Sequence, residues 1–256
     1  MYTNPELAKK LVEFRIQTLP GAMANAKAYG YPGARYPWES SVSGEEQCPN
    51  WQYADHEIHV TADVVHGIWH YYQAAGDMEF LKNALPVLKE TARYWLARVC
   101  RRPGGAVTLD GVMGPDEYIC LCNNNAYTNF MAARSLEITA WALELCGEAA
   151  EPGFIEDLRE TAQGLMNSVD WSGVIPQCDH FEDYEEPDFE TMWPDRSKPF
   201  GGQVSQEYNY RVKALKQADV LMLPYLFPER FSAEQIRQSY DFYYPYTTHD
   251  LSLIHI

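Results

Sequence analysis

GVMGPDEYICLCNNNAYTN, residues 111–129, is the stretch on which the reading of the whole chain turns. Gly114-Pro115 breaks the backbone into a turn, and Asn123, Asn124 and Asn125 offer capping and hydrogen-bonding side chains. An apolar-periodic segment follows over residues 126–146, which predicts a helix. Glu117 is thereby held on a short loop at a helix mouth. A carboxyl in such a place can be withdrawn from water and serve as a general acid. Asp116 and Glu117 also fit as ordinary loop acids beside a helix N-terminus, where negative charge is favourable in any case. On spacing alone the ordinary loop acid is the favoured reading.

On either side of this stretch the periodicity is helical. Residues 6–29 carry Leu7, Leu11, Phe14, Ile16, Leu19, Met23 and Ala26 near helical spacing, with Pro20-Gly21 as the expected break. Helices are predicted over 55–75 and 78–99, the second starting nearer Pro86 if the proline marks its first turn. Further helices are predicted over 154–168 and 206–226. Ser232 and Gln235 form a capping box for a last helix reaching about residue 243. No succession of alternating strands interrupts this series, so the chain reads as all-α.

Two long segments resist a helical reading. Residues 30–54 are rich in Gly, Pro and aromatics, and a loop of that length in a compact domain is functional or disordered; its tryptophans argue for function. Residues 174–203 have a similar composition, and the tail from 244 onward reads as extended. On the predicted 55–75 helix, His59, Asp63, His66 and His70 share a face. That spacing suits a metal in principle, but no third-partner ligand set is evident, and a polar cavity lining or solvated face is the expectation. No metal is therefore expected. The six cysteines are scattered, and Cys120-Leu121-Cys122 is too tight for a metal knuckle, so reduced thiols are expected.

The composition narrows the function classes. With 256 residues and 46% hydrophobic content the chain is long enough for a large core. A formal net charge of −16 argues against nucleic acid and anionic membranes, both of which need clustered Lys and Arg. Neither a signal peptide nor a bilayer-length apolar run is apparent, which makes a cytoplasmic protein the default expectation. Eighteen tyrosines and seven tryptophans suit a carbohydrate cleft or simply a core.

Seven blocks, in order, then give the chain a likeness. They are Gly33-Ala34-Arg35-Tyr36-Pro37-Trp38-Glu39-Ser40, Gly44-Glu45-Glu46, Glu57-Ile58-His59, Gly114-Pro115-Asp116-Glu117-Tyr118, Asn124-Asn125-Ala126-Tyr127-Thr128-Asn129, Lys216-Gln217-Ala218-Asp219-Val220 and Thr247-Thr248-His249-Asp250. Together they resemble the catalytic domain of the glycoside hydrolase family 65 phosphorylases, which act on kojibiose, nigerose, trehalose and maltose. The resemblance implies an (α/α)6 barrel, of which residues 1–256 would be one part. An N-terminal β-sandwich, the first barrel helices and the last ones would lie outside this sequence, leaving the barrel incomplete at both ends.

The same resemblance implies an inverting reaction on an α-glucosidic disaccharide. Carried onto the matching positions, Glu117 looks like the general acid. Trp38 and Glu39 look like wall and hydrogen-bonding residues of the sugar site, and Lys216 and Gln217 like binders of the glucosyl hydroxyls. Thr248, His249 and Ser252 correspond to the family's phosphate-binding stretch, although Leu251 stands where that stretch has its first serine, and Ile119 follows Glu-Tyr where histidine is frequent. Inorganic phosphate is the implied co-substrate, with no further cofactor, and a homodimer of the full-length protein is left open. The chemistry is coherent: an inverting hydrolase needs a second carboxylate to activate water, whereas phosphate is already an anionic nucleophile and needs donors to hold it in line. A hydrolase on the same fold stays open, with Glu182, Glu185 and Glu186 as carboxylates for a base. His59, Thr61 and residues 42–50 are candidates for acceptor choice.

Overall fold

The computed structural model describes residues 3–250. The chain divides into two compact units, one comprising the sequence up to Asp110 with Thr128–Ser168, the other Gly111–Tyr127 with the sequence from Val169 onward.

The first unit is built of long helices. Helix α1 (Pro5–Gln17) starts where the Asn4 side chain accepts the Leu7 N–H and proline occupies the first turn. The helix predicted over 6–29 ends at Thr18, not at Pro20-Gly21. Thr18 donates its hydroxyl to Phe14 O (2.8 Å), and Pro20 sits in the first turn of α2 (Leu19–Ala28), where no amide hydrogen is required. The predicted 55–75 helix is likewise two pieces, α3 (Trp51–His56) and α4 (Val60–Ala75), parted at Glu57–His59. Gly76 closes α4 with a φ of 64°. Helix α5 (Met78–Arg98) begins on an Asp77 cap and runs through Pro86 rather than starting near it. Its buried face of Phe80, Leu81, Leu88 and Trp95 packs against α1, α4 and α7 (Phe154–Asn167), and each such side chain contributes roughly 1.5–3 kcal/mol of burial. A two-residue hairpin, β1 (Cys100–Arg101) with β2 (Val107–Thr108), lies against α7. Helix α6 (Ala126–Cys146) follows the predicted bounds.

The second unit is made of short pieces: α8 (Phe189–Met192), α9 (Gln206–Asn209), α10 (Met222–Leu226) and α11 (Ala233–Tyr243), with single 3₁₀ turns between them. The Ser232–Gln235 capping box forms with both of its reciprocal bonds. Met192, Trp193, Phe200, Val212 and Ala214 make a core, flanked by Tyr118, Phe189 and Val204.

The continuous helix predicted over 206–226 does not form. Between α9 and a 3₁₀ turn at Asp219–Leu221 the chain is non-helical, a turn at 210–211 followed by bridges at Val212 and Leu215 and a bend at 216–217. Its amide hydrogens are taken by distant partners: Lys213 N–H by Glu185 O (2.9 Å), Leu215 N–H by Tyr246 O (2.9 Å) and Lys216 N–H by Asp116 Oδ1 (2.8 Å). Tertiary pairing thus overrides a run of good helix formers. Val212 and Leu215 form isolated parallel bridges with Glu185 and Thr247. Among the described residues no helix is long and apolar enough to cross a membrane.

Candidate functional site

The stretch that opened the sequence reading closes on itself. Val112 and Cys122 exchange backbone hydrogen bonds of 2.9 Å in both directions, so Gly114 to Tyr118 form the tip of a loop. The asparagines brace it: Asn123 Oδ1 accepts the Gly111 N–H (3.0 Å), Asn124 donates to Asp179 (2.9 Å), and Asn125 Nδ2 donates to Asp219 Oδ2 (3.0 Å). Asn124 adopts a φ of 49°, which asparagine tolerates better than most residues.

At the tip the two acids part company. Asp116 is 1% exposed, whereas the Glu117 side chain is 20% exposed and meets Lys216, Oε1 to Nζ at 2.7 Å. Asp116 Oδ1 accepts the backbone N–H groups of Lys216 (2.8 Å), Tyr118 (3.4 Å) and Gln217 (3.5 Å), and Gln177 Nε2 donates to its other oxygen (3.3 Å). Burial, then the charge of Asp219, push the Asp116 carboxyl well above the usual carboxylate range, against the three N–H groups that favour its charge. Gln217 Nε2 donates to Pro115 O (2.7 Å). Glu117, Lys216 and Gln217 are therefore gathered in one place, although Lys216 and Gln217 lie at a bend and not on a helix. Ile119, where the resemblance favours histidine, is buried.

Thr248 and His249 belong to the same unit. The Thr248 hydroxyl donates to Asp250 Oδ1 (2.6 Å) and its N–H to Leu215 O (2.9 Å). His249 is exposed, takes a φ of 53°, lies against the Tyr244 ring and has Nε2 3.2 Å from Tyr244 O. Asp250 Oδ2 accepts the Phe200 N–H (2.6 Å), and the Tyr118 hydroxyl accepts the Gly201 N–H (3.1 Å), so one short segment is tied both beside Glu117 and at the Thr248 stretch. Burial, then the Asp250 charge, raise the Tyr118 phenol to about 12. Ser252 and Leu251 lie outside the described residues.

Trp38 and Glu39 belong to the first unit. A role that sequence reasoning missed falls to Glu46, whose carboxylate accepts four backbone N–H groups: Trp38 (2.7 Å), Glu39 (3.0 Å), Cys48 (3.0 Å) and Gln47 (3.1 Å). Its position in the Gly44-Glu45-Glu46 block was the available signal, but its partners are main-chain groups that any residue supplies. Glu39 is exposed and Trp38 half-buried, its ring edge-on to His59 at 5.9 Å. His59 lies between Asp63 (2.7 Å) and Glu57 (3.5 Å). Burial disfavours its charge, but Asp63 and Glu57 outweigh that and raise the imidazole to about 9. Thr61 accepts the Tyr36 N–H (3.1 Å), so its hydroxyl oxygen braces the backbone leading to Trp38.

The arrangement of Glu117, Lys216 and Gln217 invites comparison with known proteins. The model of the glycosyl hydrolase family 65 central catalytic domain matches residues 1–256. The chain belongs to that family. It is 35% identical to a kojibiose phosphorylase of Halothermothrix orenii over 99% of this chain and 36% of that protein. It is 32% identical to the alpha,alpha-trehalose phosphorylase of Thermoanaerobacter brockii over 99% and 35%. A kojibiose hydrolase of Flavobacterium johnsoniae is 37% identical over 70% of this chain and 26% of that protein. A solved structure described as a kojibiose phosphorylase from the human microbiome superposes with a TM-score of 0.87 at 30% identity, over 98% of this chain and 35% of that one. The match bears out the all-α, (α/α)6-barrel class for this family 65 chain. The chain spans about a third of the length of the curated relatives it matches.

Proposed function

We propose that the protein containing this chain carries out inverting phosphorolysis of an α-glucosidic disaccharide, releasing β-glucose 1-phosphate and an acceptor sugar. Glu117 protonates the glycosidic oxygen as its bond to the anomeric carbon breaks, and a phosphate oxygen forms the new bond from the opposite face. Lys216 and Gln217 hold the glucosyl hydroxyls, with Trp38 and Glu39 forming the sugar wall. Thr248, His249 and Ser252 hold the phosphate. The observation that most supports this reading is that residues of two separate motif blocks meet, Glu117 Oε1 lying 2.7 Å from Lys216 Nζ with each side chain 20% exposed. Phosphorylases among the relatives support the nucleophile. The test is turnover of kojibiose, nigerose, trehalose and maltose by the full-length protein with and without phosphate; equal release of free glucose in both overturns it.

A second reading, hydrolysis with water as nucleophile, is favoured by the hydrolase among the relatives. Of the carboxylates in question, Glu186 is engaged with Lys213 (2.6 Å) and Tyr246 (3.2 Å), while the Glu185 backbone pairs with Arg211 and Lys213. Oxygen-18 from water appearing in the released glucose supports hydrolysis.

A further inference from the structure

We infer that Asp116 is a positioning residue that sets Glu117 against Lys216, an inference resting on the reading of Glu117 as the acid. Asp116 is 1% exposed, so it does not meet substrate directly; what it touches is main chain of the residues that would. One carboxylate oxygen receives Lys216 N–H at 2.8 Å and Gln217 N–H at 3.5 Å, and also Tyr118 N–H at 3.4 Å, so both sequence neighbours of Glu117 are tied into the same bracket. Bonds return from the other side: Gln217 Nε2 donates to Pro115 O (2.7 Å), and Asp219 Oδ2 accepts the Asp116 N–H (3.4 Å). Hydrogen bonds thus cross in both directions between residues 115–118 and 216–219. They fix the two backbone points from which the Glu117 and Lys216 side chains reach each other.

An acid that merely stabilised the fold would not need its acceptor oxygen aimed at the amides of the two proposed sugar-binding residues. The geometry also separates substitutions. Asp116→Asn keeps an oxygen at the Oδ1 position, whereas Asp116→Ala and Asp116→Ser place none within reach of the Lys216 N–H.

The experiment uses the full-length protein carrying Asp116→Asn, Asp116→Ser or Asp116→Ala, with phosphorolysis measured at varied glucoside and phosphate and crystal structures determined for each variant. Misplacing a reacting group by about 1 Å costs about 10²-fold. The Ser and Ala variants are therefore expected to lose about 10²-fold in kcat with a raised KM for the glucoside and a phosphate KM within about threefold of wild type. The Asn variant is expected to recover at least about a tenth of the wild-type kcat. In the Ser and Ala structures the Lys216–Glu117 pair is expected to separate beyond about 4 Å. Wild-type kcat in the Ser variant, equal losses in Asn and Ser, or an unmoved ion pair in Ser each overturns the inference. If the wild-type protein forms no sugar phosphate, the functional reading fails by itself, and the ion-pair separation in the Ser structure alone decides the role of Asp116.

Discussion

Lys216 Nζ stands 2.7 Å from Glu117 Oε1, with each side chain 20% exposed. An ion pair with that much solvent contact contributes on the order of 1 kcal/mol or less to folding, so its value to the protein is placement. Replacing Glu117 by Gln keeps the shape and removes the ionisable group proposed as the proton donor. Turnover in the full-length protein is expected to fall by about 10³-fold or more while glucoside binding, measured by calorimetry, persists. A near-normal rate in that variant reassigns the acid. Lys216→Met is expected instead to raise the glucoside KM, with the melting temperature little changed.

The Glu46 carboxylate does for Trp38 and Glu39 what a turn motif does elsewhere, collecting the N–H groups of Trp38, Glu39, Gln47 and Cys48. A charged acceptor makes such bonds stronger than a neutral one. Glu46→Gln is expected to cost about 1–3 kcal/mol in chemical denaturation, since one accepting oxygen and the charge are both lost. The glucoside KM is expected to rise about tenfold as Trp38 and Glu39 lose their fixed backbone. A stable variant with an unchanged KM shows that Trp38 and Glu39 are held by other contacts.

These two sites mark how far the sequence could be read. Local signals held: the Ser232–Gln235 capping box forms, and α6 runs over the apolar-periodic residues. What sequence reasoning missed depends on partners far along the chain. Residues 210–218 look helical because nothing in them shows that Glu185, Tyr246 and Asp116 take the amide hydrogens of Lys213, Leu215 and Lys216. The break at Glu57–His59 is hidden for a different reason: its amides bond locally, Glu57 N–H to Tyr53 O and Ile58 N–H to His56 O, and the residues around it are compatible with a helix. Glu117, Lys216 and Gln217 were legible as motif residues, as were Trp38 and Glu39, yet Asp116 was not seen as the support of the first set nor Glu46 as that of the second. Their partners are peptide N–H groups, which leave no mark on residue identity.

Gly114 shows the same principle from the side of space. A Cβ built there would run into Asp219 Oδ2 and the Asn125 amide, the two groups that clasp the loop tip. Neither can move away without giving up that bond. Gly114→Ala is expected to cost about 1–3 kcal/mol, read as a lower urea midpoint, and to reduce turnover by displacing the neighbouring acid. Gly202→Ala is the control. A Cβ there meets nothing within 4 Å, so it is expected to be close to neutral. Equal effects of the two substitutions contradict the packing account.

His59 gives a pH dependence with a definite sign. Its imidazole is buried, which favours the neutral form, but Asp63 at 2.7 Å and Glu57 at 3.5 Å raise it from 6.5 to about 9. The folded protein therefore binds this proton more tightly than the unfolded chain. The resulting stabilisation is fully present below pH 6.5 and is lost as the pH rises through about 9. The melting temperature of wild-type protein should accordingly fall across that window by more than that of His59→Gln, whose side chain carries no titrating group. Tyrosine, cysteine and lysine ionisation affects both proteins and cancels in the difference. Since the Trp38 ring lies edge-on to His59, tryptophan fluorescence followed over the same range is expected to show a transition that the glutamine variant lacks. Parallel melting curves for the two proteins from pH 6.5 to about 9 would mean that the imidazole is not held charged between its two carboxylates.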